Sequence, residues 1–238
     1  MPLARWVAGA LFVLAVGVAA APAPAAPPAP AEAVNEKLIP LERYSTPKGQ
    51  ALARAHQLRL YKFSEYIWGC LPWLDVQKHS IGFQRPKGEA GDDRYFSTWI
   101  LIPQAENPQF AAWPQTRRMS AMFSRYGVDL LRRMAGVHDV LSDSNVHGFS
   151  LVLSWLKPGT WRPGVQPVNE SLAVFVDKAT GIDYLERRIP NGDFARRIRV
   201  VGFDGQTDLG PQALDIWDDD FAATFKIPNY EPPDGVTC

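Results

Sequence analysis

The stretch His147–Pro158, HGFSLVLSWLKP, decides how this chain folds. Phe149, Leu151, Leu153 and Trp155 occupy alternate positions and give an extended strand one face of large apolar groups. Ser150, Val152, Ser154 and Leu156 give its other face smaller or mixed groups. A strand built this way belongs in the middle of a sheet with at least one face covered. Lys157-Pro158-Gly159 ends it, because proline has no N–H for a ladder and glycine permits the turn.

On the N-terminal side of this strand, residues from about Gln115 to Ala135 carry a helical stripe of Met119, Met122, Phe123, Tyr126, Leu130 and Met134, with Gly136 as a stop. A polar connection, Val137–Val146, joins the two. Further back, Thr46-Pro47 reads as a helix start, with threonine as N-cap and proline in the first turn. Leu52, His56, Leu60, Phe63 and Ile67 continue it as one long helix that ends at Gly69–Pro72. Lys78–Arg85 and Arg94–Ile102 (RYFSTWILI) read as a hairpin across a polar turn.

On the C-terminal side, Pro158–Val168 is a surface loop and Ser171–Val176 a strand. Asp177–Gly181 is either a hairpin turn or, as the spacing of Ile182, Leu185 and Ile189 favours, the start of a short helix capped by Asp177. Ile198–Phe203 is a strand, and Ala213–Trp217 is expected to be the last one. This order predicts an α+β fold: a mainly antiparallel sheet of about six strands, two long helices packed on one face, in a single domain.

The ends of the chain have a different character. Arg5 is the only charge before Glu32, and Trp6–Ala21 is an apolar run followed by small residues, the layout of a secretory signal. Residues 1–25 are assigned to that signal, 26–40 to a Pro/Ala-rich linker, 41–226 to the globular domain and 227–238 to an extended tail. The expected location is therefore periplasmic or secreted, or membrane-anchored if the signal is retained. The mature form is expected to have no membrane span.

The 25 basic and 25 acidic residues balance, which gives no global attraction to nucleic acid. Cys70 and Cys238 are the only cysteines. Two readings stand: a disulfide that pins the tail to the body, as an oxidising compartment permits, or a buried Cys70 with a free terminal thiol.

Phosphate-binding glycine loops, paired CxxC motifs and a nucleophile elbow are absent, and no cofactor or metal is expected. The histidine with the most polar sequence neighbours is His147, near Asp139 and Asp143, and this trio is the candidate acid–base site. A polar turn explains the same residues more simply. The acidic group Asp215 and Asp218–Asp220 lacks the spacing of a calcium loop. Four arginine pairs, at 117–118, 132–133, 187–188 and 196–197, read as solvated faces paired with acids. Of eight tryptophans, Trp99, Trp155 and Trp217 are expected in the core, while Trp68 and Trp73 flank the Gly69–Pro72 break as a candidate aromatic recognition patch.

Three functions follow in order of preference. The first is a non-catalytic binding or accessory protein of the cell envelope, acting on an unidentified ligand or envelope protein. The second is a hydrolase-type enzyme using His147 with Asp139 or Asp143. The third is a structural or assembly factor with an exposed aromatic patch.

Overall fold

The computed structural model describes residues 30–87, 91–102, 108–219, 231–233 and 238. The apolar run Trp6–Ala21 and most of the C-terminal tail lie outside them. No helix among the described residues is long and apolar enough to cross a membrane.

The strand within HGFSLVLSWLKP is at the centre of the sheet. It extends over Val146–Leu156 and is named β4. The other strands are β1 (Asp75–Val76), β2 (Gly82–Gln84), β3 (Arg94–Ile102), β5 (Asn169–Asp177), β6 (Arg199–Phe203) and β7 (Asp208–Pro211). They form one seven-stranded sheet in the order β1-β3-β4-β5-β6-β7, with β2 also paired to β3. Phe149, Leu151, Leu153 and Trp155 are all fully buried, as their alternation requires.

The fold is α+β, but the sheet is not antiparallel throughout. β3 and β4 pair in parallel, Phe96 opposite Phe149 and Ile100 opposite Leu153. Parallel neighbours need a crossover, and the helices between the two strands supply it. The expected hairpin between β2 and β3 is present, with Phe83 opposite Phe96, but β2 is only three residues long.

The helices precede and span this crossover. They are α1 (Pro30–Asn35), α2 (Pro47–Ala55), α3 (Gln57–Cys70), α4 (Pro108–Ala112), α5 (Gln115–Met122), α6 (Val128–Ala135) and α7 (His138–Ser142), with α8 (Lys178–Leu185) and α9 (Asn191–Arg197) following β5. Thr46 caps α2 as expected, its Oγ1 accepting from the Gly49 N–H. The single long helix expected from Thr46 to Ile67 is instead broken at His56, where φ and ψ reach −107° and 12°. Its ring sits between Asp143 and Phe83, so that a tertiary contact overrides the helical spacing. A π-helical turn, Phe123–Gly127, joins α5 to α6 and makes 115–135 one nearly continuous rod. α8 confirms the helical alternative after Asp177, while α7 and α9 fall where connections were expected.

Ala213–Trp217 is not a strand; the last strand among the described residues is β7. The segment runs instead across the helical rod, where Asp215 N–H donates to Ser120 Oγ and Trp217 N–H to Ser124 Oγ. Two residues of extended chain advance about as far as one helical turn, so i, i+2 donors meet i, i+4 acceptors. Leu214 and Ile216 are buried between them.

One buried core joins Phe63 of α3, Phe123, Leu130 of α6, Tyr184 of α8 and Phe194 of α9 to the strand residues Phe96, Phe149, Leu153 and Val174. Phe63 meets Phe96 edge-on at 5.1 Å, and Tyr184 stacks on Phe194 at 3.8 Å. Cys70 and Cys238 are disulfide-bonded, which resolves the two cysteine readings in favour of the bridge.

Candidate functional site

The residues that alternate with the core positions form the second face of the sheet. The strand register places them in rows: Trp99, Val152, Ala173 and Val201 in one, and Leu101, Ser154, Ser171 and Phe203 in the next. Small side chains therefore occupy the two central strands, and large ones flank them on β3 and β6. This produces a groove of about 540 Å³, bounded at one end by Gln166, Pro167 and Val168 of the β4–β5 loop. Trp99 and Phe203 remain 41% exposed on opposite flanks of it. Trp161 and Val165 are exposed on the loop that leads into Gln166, so four of the five large apolar residues exposed among the described residues lie on β3, β6 and this loop. Such clustering distinguishes a contact surface from scattered apolar residues.

The floor is polar where it could have been inert. Trp99 Nε1 donates to Ser154 Oγ at 2.7 Å, and Ser154 Oγ lies 2.8 Å from Ser171 Oγ. Ser154 is buried, so the indole is tied down by its N–H while much of the ring stays in solvent. Asp208 is the one charged residue among the described residues that line the groove, and its Oδ1 already accepts from the Gly210 N–H.

The candidate acid–base trio is not assembled. His147 is displaced by a register shift between Arg94 and Tyr95, and its ring lies 5.1 Å from that of Tyr95. Its Nε2 pairs with Asp177 Oδ1 at 3.1 Å, not with Asp143 or Asp139, and its side chain is 45% exposed. Asp177 holds the N-cap position of α8, yet it makes no side-chain cap bond. Asp143 faces the helical side, where its Oδ2 lies 3.0 Å from His56 Nε2. The contact with His56, followed by the Asn145 N–H, holds the Asp143 carboxyl below its usual range. Asp139 pairs with Arg59. The two aspartates thus serve separate ties, Asp139 from α7 to α3 and Asp143 from the turn before β4 to the break at His56.

Trp68 and Trp73 are half-buried, and Trp73 packs against the core. The exposed aromatic surface lies at Trp99, expected in the core, and at Phe203. Trp155 is fully buried and Trp217 half-buried. The signal for the groove was present in the strands: Ser97, Ser150, Ser154, Ser171 and Ala173 recur at the non-core parity of three neighbouring strands. Periodicity alone could not say that Trp99 and Phe203 flank the same floor, because that depends on strand order.

The four arginine pairs do not gather in one place, although Arg132 and Arg187 line a common cleft with Asp218. Arg118 meets Glu170, Arg133 meets Asp129, Arg188 meets Asp183 and Arg196 meets Asp193. Asp219 of the acidic run pairs with Arg125, and Asp220 lies outside the described residues. No group of three or more potential metal ligands comes together among the described residues. Comparison with protein-family models, curated proteins and solved structures finds no match to this chain.

Proposed function

We propose that this is an exported, non-catalytic binding protein of the cell envelope or exterior, and that it receives its ligand in the groove on the second face of the sheet. The observation that carries this reading is the pair Trp99 and Phe203, two exposed rings flanking a floor of small residues. Binding sites are concave and largely apolar, with a few placed polar groups, which matches this composition. Export is supported by the signal-like N-terminus and by the Cys70–Cys238 disulfide, a bond that oxidising compartments preserve. Binding without catalysis is supported by the separation of His147 from Asp139 and Asp143.

The test is an amide and indole NMR screen of the isotopically labelled protein against soluble glycans, peptides and lipid micelles. Shifts centred on Trp99, Ser171 and Phe203 support the reading. Shifts centred instead on the helical-side groove lined by Arg59, Tyr66 and His138 overturn it, as does chemical turnover of any compound that binds.

A further inference from the structure

Resting on that binding-face reading, we infer that the ligand is a neutral oligosaccharide. Three features of the groove select this chemistry together. The first is charge: Asp208, which accepts a backbone N–H, is the one ionisable group among the described residues of the lining. The nearby Lys157 faces Asp204 at 3.7 Å. The cation on the adjoining row of this face, Arg199, lies over the Phe175 ring at 4.4 Å and outside the lining, and a cationic ligand meets a single carboxylate.

The second feature is the pair of rings. Trp99 and Phe203 stand three strands apart and two residues out of register, roughly 14 Å across the strands and about 7 Å along them. A flat sugar ring offers C–H groups to an aromatic face and hydroxyls around its edge, and two separated rings suit a short chain of such units. A single compact apolar ligand would need the rings to face each other at closer range.

The third feature is the hydroxyl relay beneath them. Trp99 N–H donates to Ser154, and the two serines share one hydrogen between their oxygens. Either serine can donate in that bond; with Ser154 as donor, the half-buried Ser171 keeps its own hydroxyl hydrogen for the groove surface. Asn169 and Gln166 add amide groups with both donor and acceptor capacity. Uncharged groups that both donate and accept, set between aromatic faces, are what a sugar hydroxyl pattern requires. A lipid chain leaves these polar groups unmet, and a peptide bound as an added strand needs a free strand edge that the groove floor, interior to the sheet, does not offer.

Isothermal titration of the purified protein with cellohexaose, maltohexaose and N-acetylchitohexaose tests this inference. At least one is expected to bind saturably, with affinity reduced about tenfold or more by Trp99→Ala and by Phe203→Ala, while Trp99→Phe, which keeps a ring but loses the relay, gives an intermediate loss. Far-ultraviolet circular dichroism confirms that each variant is folded. Absence of saturable heat from all three sugars overturns the saccharide assignment. If a dodecylphosphocholine micelle or a proline-rich peptide then binds in a Trp99-dependent way, the binding face survives and only the ligand class fails. If a sugar binds equally well to Trp99→Ala and Phe203→Ala, the face itself is wrong. A sedimentation shift showing that a second copy covers the groove also overturns the assignment.

Discussion

The most deeply buried charge among the described residues offers a sharp test of how the helical rod is held to the sheet. Glu170 stands opposite Trp155 in the β4–β5 ladder, and only 1% of its side chain is exposed. Its Oε2 accepts from Arg118 Nε at 2.9 Å and from Trp155 Nε1 at 2.8 Å, and its Oε1 accepts from Arg118 Nη2. Arg118 also donates to the Trp113 carbonyl, so one guanidinium ties α5 to both the sheet and the turn before it. Arg118→Met removes the cation and leaves the carboxylate buried. Breaking a buried pair from one side costs about 3–5 kcal/mol, and the lost Trp113 bond adds about 1 kcal/mol. For a domain of this size that corresponds to a fall in Tm of roughly 10–15 °C. Adding Glu170→Gln removes the stranded charge while keeping an acceptor for Trp155, and the double variant should recover about half of the loss. Urea unfolding followed by tryptophan fluorescence measures both. A loss below about 1 kcal/mol for Arg118→Met, or no recovery in the double variant, would refute the reasoning.

Three other outcomes are expected. Cys70→Ser, or reduction of the native protein, releases a bridge spanning 168 residues and should lower stability by up to about 5 kcal/mol in the chain-entropy picture; an unchanged urea midpoint contradicts it. Asp143, whose folded carboxyl lies below its ordinary 3.8 through the His56 contact, contributes stability above that value and loses it as pH falls through the lowered folded pKa. Asp143→Asn should therefore flatten the stability–pH curve below about pH 4, and identical acid slopes for the two proteins would count against the tie. Gly148→Ala places a methyl group against the backbone carbonyl of Val176 and close to Asp177, where no side chain can move aside. A destabilisation of about 3 kcal/mol is expected in thermal melts, and a neutral effect would mean that the β4–β5 register differs from the one described.

The parts of the fold that follow from local periodicity were legible in the chain. The alternation of Phe149 to Trp155 fixed a buried strand, and the Met-rich stripe from Met119 to Met134 fixed the helix beside it. The parts that depend on distant partners were not. Nothing near His56 shows that it will leave the helix for Asp143, 87 residues away. Ala213–Trp217 has a strand's alternation, and it is used against Ser120 and Ser124 on a helix instead of against another strand. The same limit applies to the candidate site. His147 sits close in sequence to Asp139 and Asp143, but the shift at the start of β4 directs it to Asp177. Trp99 belongs to a strand, as its surroundings suggested, yet its parity opposes that of Phe96 and Ile100 and places it on the groove side.

The most direct measurement separates the tryptophans. In protein labelled with 5-fluorotryptophan, fluorine NMR gives each indole its own resonance, and Trp99→Phe, Trp68→Phe and Trp73→Phe identify three of them. During titration with the bound hexasaccharide, the Trp99 signal should move saturably while those of the half-buried Trp68 and Trp73 stay in place. Movement of Trp68 and Trp73 with a stationary Trp99 would contradict the account and place the recognition surface at the end of α3.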